Sequence, residues 1–256
     1  MKKLFAKIQR KIRAYADEHG FTCDVCGAEV FEYPQHRLCK TCESTLFWND
    51  KRRCDQCGRK TSADGVCLTC KSKPPAFTRG FAPFVYRGDT ASYINRIKNG
   101  NPRLALFFAE RMTEWFIELY PNIENFQNGA ETLLVVAVPL TKEKERERGY
   151  NQAVEFAERI TLTLRKLGYA AETDRELLVK TKETLPQKRM TYRERQENVS
   201  GAYRVHKRKA CRGRTILLID DVLTTGATGG ECAERLFAAG AKEVCFLVAA
   251  AVPEQN

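Results

Sequence analysis

Residues 215–228 read TILLIDDVLTTGAT, and this stretch decides the fold. An apolar run at 215–219 leads into two adjacent acids, Asp220 and Asp221, and then into a loop of threonine and glycine. The pattern is typical of a buried strand, a tight turn and a helix, which we predict at 227–239. A strand–loop–helix unit of this kind indicates an α/β domain.

The flanking sequence continues this alternation of strands and helices. Residues 133–138 (LLVVAV) form an uninterrupted apolar run, typical of a strand that is covered on both faces. Further strands are predicted at 81–86, 177–179 and 244–251, and further helices at 89–100, from Pro102 onward and at 150–167. This order predicts right-handed crossovers and therefore an α/β fold with a doubly wound, mostly parallel sheet.

The second signal is the spacing of the cysteines. Eight of the eleven form four C-x-x-C pairs, which are Cys23/Cys26, Cys39/Cys42, Cys54/Cys57 and Cys67/Cys70. Two intervening residues let both sulfurs reach one ion from a tight turn, and a following glycine permits the positive φ that such a turn needs. Four thiolates suit tetrahedral Zn²⁺ and leave no open coordination position. We therefore predict two structural zinc ions.

The cysteine pairs lie in an internal repeat. The sequence C-D-x-C-G occurs at Cys23 and again, in the third pair, at Cys54. Because each repeat holds two pairs, we expect the first four cysteines on one ion and the last four on the other; a cross-braced pairing is the open alternative. The other three cysteines, Cys211, Cys232 and Cys245, stand in apolar sequence and are expected in a core.

Composition restricts the class of protein. With 43% hydrophobic and 29% charged residues among 256, the chain is expected to fold rather than stay disordered. No apolar run approaches ~18 residues and the N-terminus has no apolar signal core, so we predict no integral membrane segment and a cytoplasmic location. The formal net charge of +11 falls to about +7 if two zinc–tetrathiolate centres each contribute −2. The protein stays basic, which favours an anionic partner.

Composition also sets the domain boundaries. Residues 1–20 predict a basic amphipathic helix, 21–73 a double zinc ribbon and 76–256 the α/β domain, with a proline- and charge-rich linker at 71–75. The first helix would dock on the rest of the protein, touch a membrane surface or bind nucleic acid. Peripheral association with the inner face of a membrane therefore stays an open alternative.

Positive charge is concentrated in residues 182–214, which hold eleven Lys or Arg against three Glu. With Tyr192 and Tyr203 interleaved, this segment suits single-stranded nucleic acid, which binds through backbone charge and base stacking. A loop that its charge keeps soluble is the alternative. Further cations, which would lie along a phosphate backbone or form a solvated surface, occur in the cysteine module: Lys51, Arg52, Arg53, Arg59 and Lys60.

The acid pair and the loop after it have the chemistry of a sugar-phosphate site. In open α/β sheets, ligands bind beyond the carboxyl ends of the strands. Backbone N–H groups of the loop, its threonine hydroxyls and the start of the following helix can surround a phosphate. Phosphate would repel Asp220 and Asp221, so these face hydrogen-bond donors such as ribose hydroxyls, with Mg²⁺ to compensate their charge. The pattern therefore predicts a ribose 5-phosphate site.

The stretch LLIDDVLTTGAT resembles the loop that binds 5-phosphoribosyl 1-pyrophosphate (PRPP) in type I phosphoribosyltransferases. The resemblance implies a sheet of the type I phosphoribosyltransferase kind. It implies that Asp220 and Asp221 are the catalytic acids and contact the ribose hydroxyls, and that Mg²⁺ binds together with PRPP. It places the 5′-phosphate on Thr224, Thr225, Gly226, Ala227 and Thr228.

Further segments resemble the ComF family. These are Arg146, RGYNQA at 148–153, TLPQ at 184–187 and RQENVSGAY at 195–203, together with the duplicated cysteine pairs. ComF proteins combine a zinc ribbon with a phosphoribosyltransferase-like domain and are associated with DNA uptake in competent bacteria. The resemblance covers nearly the whole chain, about residues 20–252.

This resemblance assigns two more groups of residues. Arg146 and Arg148 would clamp phosphate, since a guanidinium can donate two parallel hydrogen bonds to it. A solvated helix start with self-paired charges is the alternative for Arg146. Lys180 and Lys182 stand where the resemblance leads us to expect arginine. A mobile loop over the ligand would include Thr184, Gln187, Arg195 and Asn198.

Three functions from different classes remain open at this point. The first is a factor that handles incoming single-stranded DNA in natural transformation and binds PRPP or a nucleotide, with the competence DNA translocase ComFA as an implied partner. The second is a phosphoribosyltransferase acting on an unidentified acceptor, which no segment of the sequence specifies. The third is a ligand-sensing regulator with a non-catalytic transferase fold.

Overall fold

The computed structural model describes residues 22–31, 36–50, 52–127, 129–182, 194 and 198–254. The helix expected at 1–20 lies outside these residues, as does most of the expected mobile loop. The chain divides into two compact units, Met1–Leu46 and Phe47–Asn256. The division falls between the first four cysteines and the last four, inside the segment 21–73. The domain boundaries given above stay predictions.

The smaller unit is organised around its cysteines. The Cys23 N–H donates to the carbonyl of Ala28 at 2.7 Å, which closes a tight turn around Cys26. The short helix α1 (Lys40–Ser44) begins after Cys39, whose sulfur accepts a hydrogen bond from the Cys42 N–H at 3.5 Å. In each pair of cysteines, a hydrogen-bonded turn thus fixes the backbone that carries the two sulfurs.

The larger unit is built on a parallel sheet. Its strands are β1 (Arg79–Phe81), β2 (Phe84–Val85), β3 (Leu133–Ala137), β4 (Ala171–Thr173), β7 (Thr215–Leu223) and β8 (Glu243–Ala251). The strand order is β1-β8-β7-β3-β4, and β2 also pairs with β8. All these pairs are parallel, with β7 in the centre. Two further strands, β5 (Leu178–Lys180) and β6 (Tyr203–Val205), form a separate antiparallel ribbon.

Helices cover both faces of this sheet, so the predicted doubly wound α/β fold is confirmed. The helices of the larger unit are α2 (Leu68–Ser72), α3 (Gly88–Lys98), α4 (Arg103–Leu119), α5 (Lys142–Arg148), α6 (Gln152–Lys166) and α7 (Ala227–Ala238), and α5 has no buried residue. Helices α4 and α6 pack together on one face, and α7 packs on the other with β6. Strand β3 is buried along its whole length, as a strand covered on both faces requires.

Several elements differ from the sequence prediction. The strand expected at 81–86 is two short strands separated by Pro83, which has no N–H to donate to a ladder. The strand expected at 177–179 belongs to the antiparallel ribbon rather than to the main sheet. Strand β4 and helix α5 are additional, and β7 continues through both acids to Leu223.

The last four cysteines pack into the core of the larger unit. They share one buried cluster with apolar residues of β3, β7, β8 and α7. Their first turn lies directly on β1, because the Gly80 N–H donates to the carbonyl of Gln56 at 2.7 Å. Gly58 has a φ of +71°, and a Cβ there would lie 2.4 Å from the Gly80 carbonyl oxygen. Gly58 is therefore required both by its backbone conformation and by this close approach.

The repeat supplies a matched pair of glycines for a test. Gly27 has a φ of +75° and open space within 4 Å of the place a Cβ would take, so Gly27→Ala introduces left-handed backbone strain of about 1–2 kcal/mol only. Gly58→Ala adds a collision with backbone, which is expected to destabilise by roughly a further 1–3 kcal/mol. Thermal unfolding with a colorimetric assay of released metal should show the larger loss for Gly58→Ala. Equal losses would contradict the packing of this turn on β1.

Candidate functional site

The eight paired cysteines form two groups that could each hold one metal ion. The groups are Cys23, Cys26, Cys39 and Cys42, and Cys54, Cys57, Cys67 and Cys70. The sulfurs of each group lie within 4.8 Å of one another, with 3.7 Å between Cys26 and Cys39 and 3.8 Å between Cys57 and Cys67. A tetrahedral site with Zn–S bonds of about 2.3 Å has sulfurs about 3.8 Å apart. The donor sets therefore fit structural metal ions such as zinc, in the sequential rather than the cross-braced pairing.

The acid pair lies at the carboxyl end of β7, in the middle of the sheet. Asp221 is buried, and its Oδ2 accepts hydrogen bonds from Gln152 Nε2 at 2.9 Å and from Lys98 Nζ at 2.8 Å. Asp220 is half-buried, and its Oδ1 accepts from the Asp221 N–H at 2.8 Å. Both carboxylates thus belong to a fixed network at the edge of the sheet where ligands of open α/β folds bind.

The segment RGYNQA at 148–153 places one donor of this network. Gly149, with a φ of +80°, ends helix α5, and Asn151 caps the start of α6. The Asn151 side chain accepts from the Ala153 N–H and donates to the carbonyl of Val138, both at 3.0 Å. These bonds tie the start of α6 to the end of β3, which puts Gln152 against Asp221.

The two arginines expected to clamp phosphate lie on helix α5. Both are exposed. Arg148 Nη1 lies 3.5 Å from Gln152 Oε1, so its side chain reaches the edge of the acid network. Arg146 lies within the last turn of the same helix. The structure thus connects Arg148, rather than Arg146, to the acid pair.

The electrostatics of the acid pair are unusual. Burial, and next the charge of Asp221, raise the pKa of Asp220 to about 7, although Lys98 and Lys180 oppose this shift. Burial alone would lower the pKa of Lys98, but the carboxylates of Asp221 and Asp220 raise it above its ordinary value. Lys98 is therefore an ammonium at neutral pH. The pair is a site where added positive charge or hydrogen-bond donors are favourable.

The loop after the acids leads directly into helix α7. Gly226 has a φ of +82° and caps the helix, and the Ala227 N–H points to Thr225 Oγ1 at 3.4 Å. Thr224, Thr225 and Thr228 are half-buried around this turn. The first N–H groups of a helix have no partner within the helix, so this turn can bind an anion beside the acid pair.

Arg59 connects this loop to the second group of cysteines. Its Nη2 donates to the carbonyl oxygen of Thr224 at 2.7 Å, and its Nε lies 3.3 Å from the sulfur of Cys57. The residue is only 6% exposed. Both expectations for Arg59, a place along a phosphate backbone or on a solvated surface, are therefore wrong, because the guanidinium is enclosed between the loop and the Cys57 thiol.

Tyr203 also differs from the expectation. It is 5% exposed and its hydroxyl faces Thr228, so it is not an accessible surface for stacking bases. Burial raises its pKa well above the ordinary value. The Lys180 ammonium lies 5.5 Å from the centre of its ring. Tyr203 thus packs beneath the protein surface with its hydroxyl against Thr228, rather than binding nucleic acid.

The remaining candidates are distributed as follows. Thr184, Gln187 and Arg195 lie outside the described residues, and Asn198 is half-buried just before Val199. The three isolated cysteines are buried, as predicted: Cys211, Cys232 and Cys245. Lys98 and Gln152 are site residues to which the sequence analysis assigned no role, although Gln152 lies in the segment RGYNQA. A lysine at the end of a predicted helix gives no local signal that it meets an acid in a distant strand.

The position of Arg59 predicts how the loop responds when this side chain is shortened. Arg59→Met removes the hydrogen bond to the Thr224 carbonyl, which is expected to speed amide hydrogen exchange at 224–228 by roughly tenfold or more. Arg52→Met is the matched control, since the Arg52 side chain is 60% exposed and pairs with Asp64. Loop exchange that is the same in both variants would exclude a positioning role for Arg59.

Comparison with curated proteins gives two kinds of relative. Competence protein ComFC of Bacillus subtilis (strain 168) is 26% identical over 216 residues, which is 81% of either chain. DNA utilization protein YhgH of Escherichia coli (strain K12) is 28% identical over 223 residues, which is 81% of this chain and 87% of that protein. No protein-family model matches the sequence.

Among solved structures, a glutamine PRPP amidotransferase from B. subtilis, complexed with ADP and GMP, aligns with a TM-score of 0.36 and 16% identity. The alignment covers 61% of this chain and 30% of that longer one, and a similarity this low supports no argument. Within the described residues, no helix is both long and apolar enough to cross a membrane. The two curated relatives match about four-fifths of the sequence, so the chain is similar to a competence protein and to a DNA utilization protein over most of its length.

Proposed function

We propose that this protein is a DNA-handling factor of the ComFC kind whose larger unit binds PRPP or a related nucleotide. The observation that carries the ligand site is the acid pair beside the threonine–glycine loop, at the carboxyl edge of the sheet. The names of the relatives, a competence protein and a DNA utilization protein, support the assignment to DNA handling.

Each part of the site has a role in this proposal. The turn at Thr224, Thr225, Gly226, Ala227 and Thr228 binds the 5′-phosphate through its N–H groups and hydroxyls. Asp220 and Asp221 accept hydrogen bonds from the ribose hydroxyls, and Arg148 lies where it can meet the pyrophosphate. Mg²⁺ bound with PRPP would neutralise part of the pyrophosphate charge.

The proposal for DNA rests on the described part of the basic segment. Its exposed cations are Lys182, Arg204, Lys207, Arg208, Lys209 and Arg212. Lys207 pairs with Asp174 and Glu176, and Arg208 donates to the carbonyl of Ala238. These two side chains are therefore already engaged in contacts within the protein. The remaining four are better placed to neutralise the phosphates of a single strand.

Transferase activity on an unidentified acceptor is the second candidate, favoured by the same acid pair and loop. A ligand-sensing regulator would use the site without turnover. Pyrophosphate release separates these from each other. Binding to ComFA and peripheral membrane association remain further proposals, as does a mobile loop carrying Thr184, Gln187, Arg195 and Asn198.

Ligand binding is tested by thermal unfolding with PRPP and nucleotides, with and without Mg²⁺. Ligand that binds only the folded chain stabilises it by about 2.7 kcal/mol at a hundredfold excess over Kd. We expect PRPP with Mg²⁺ to stabilise the wild type, and Asp220→Asn/Asp221→Asn to lose most of this shift. A wild type that no phosphorylated ribose stabilises would refute the ligand site. Pyrophosphate measured in parallel samples that contain PRPP, Mg²⁺ and a panel of candidate acceptors tests turnover.

DNA binding is tested by the salt dependence of oligonucleotide affinity. Each phosphate contact on a single strand contributes about 0.7 to the slope of log affinity against log salt. Lys209→Gln/Arg212→Gln is therefore expected to lower the slope by about 1.4. The control is Arg159→Gln/Lys166→Gln, which removes the same charge from exposed positions on α6. Equal losses in both variants, or binding that ignores salt, would contradict the proposed surface.

A further inference from the structure

Lys98 bonds directly to the acid pair. It is the last residue of α3, where the chain leaves the helix through Asn99. Its Nζ lies 2.8 Å from Asp221 Oδ2, and the two side chains are 26% and 10% exposed. A hydrogen bond between opposite charges in so sheltered a place is short and strong.

The bonding around Asp221 leaves little room for another cation on the same oxygen. A carboxylate oxygen has two lone pairs. On Oδ2 these face the Gln152 amide at 2.9 Å and the Lys98 ammonium at 2.8 Å. A divalent ion bound to this oxygen would have to displace one of the two donors, and it would repel the ammonium.

The charges around the acid pair also favour a lysine rather than a metal ion beside Asp221. Two adjacent carboxylates at the end of a buried strand need a positive charge nearby. Lys98 faces Asp221 directly, and Lys180 adds a weaker attraction to Asp220. Lys98 and Lys180 thus supply the positive charge that metal ions supply at many sugar-phosphate sites.

We propose that Lys98 is a specificity-determining residue that replaces a divalent cation at the sugar hydroxyls. With Lys98 in place, the site takes ribose 5-phosphate and nucleoside monophosphates without Mg²⁺. Mg²⁺ is then needed only for ligands that bring a pyrophosphate, which has its own charge to neutralise. This inference rests on the proposed PRPP or nucleotide site.

The alternative is that Lys98 only occupies the place of a metal ion until ligand arrives. In that case ribose 5-phosphate would bind only when Mg²⁺ is present, and removing Lys98 would leave this binding unchanged or strengthen it. The two possibilities therefore differ in whether the wild type binds ribose 5-phosphate without Mg²⁺ and in whether removing Lys98 weakens binding.

Isothermal titration calorimetry of the full chain with ribose 5-phosphate tests this. The buffer is freed of Mg²⁺ by a resin outside the sample, because a soluble chelator would also remove metal from the cysteines. We expect wild-type Kd to change less than about threefold on adding Mg²⁺, since the ammonium already supplies the charge. Lys98→Met is expected to weaken binding without Mg²⁺ by about 10- to 100-fold, the loss of one charge-assisted hydrogen bond, and to recover when Mg²⁺ is added.

Two further variants serve as controls for Lys98→Met. Lys98→Arg keeps the charge and is expected to bind without Mg²⁺, which keeps the test decisive if Lys98→Met does not fold. Lys166→Met, on the exposed end of α6, should bind as the wild type does. Wild-type binding that requires Mg²⁺, or Lys98→Met binding unaltered without it, would overturn the role of Lys98 while the ligand site stands. No binding by the wild type in either condition would instead refute the site itself.

Discussion

The larger unit depends on placing two neighbouring carboxylates at the end of a strand that is otherwise largely apolar. Such a pair is unfavourable unless donors surround it, because burial and mutual repulsion both oppose ionisation. Lys98 from α3 and Gln152 from α6 supply those donors, and each arrives from a different helix end. The ends of α3 and α6 therefore meet β7 through bonds to the acid pair as well as through apolar packing.

Local signals predicted much of this architecture. The apolar runs of β3, β7 and β8, the positive φ of Gly27 and Gly58, and the sulfur groups all follow from short-range chemistry. Contacts between distant segments could not be predicted. Arg59 meets Thr224 across 165 residues, and nothing in a single sequence distinguishes such an arginine from a solvated one. The prediction for Tyr203 was wrong for the same reason, since a lone tyrosine among cations does not indicate its own burial.

The second group of cysteines is part of the α/β core rather than an appendage to it. Its sulfurs share a buried cluster with the sheet and α7, the close approach of Gly58 and Gly80 joins it to β1, and Arg59 joins it to the loop at Thr224. A cysteine turn that could hold a metal ion therefore covers the sheet here as a helix or hairpin does elsewhere. Through Arg59 it also fixes the loop at Thr224.

The two halves of the duplicated cysteine pattern have come to occupy unlike environments. In the second group all four thiols are buried, whereas in the first Cys26 is exposed and Cys39 is half-buried. Oxidants and competing chelators approach from solvent and attack accessible thiolates first. If each group holds an ion, metal exchange should consequently be fast in the smaller unit and slow in the larger, and oxidants should release the first ion before the second.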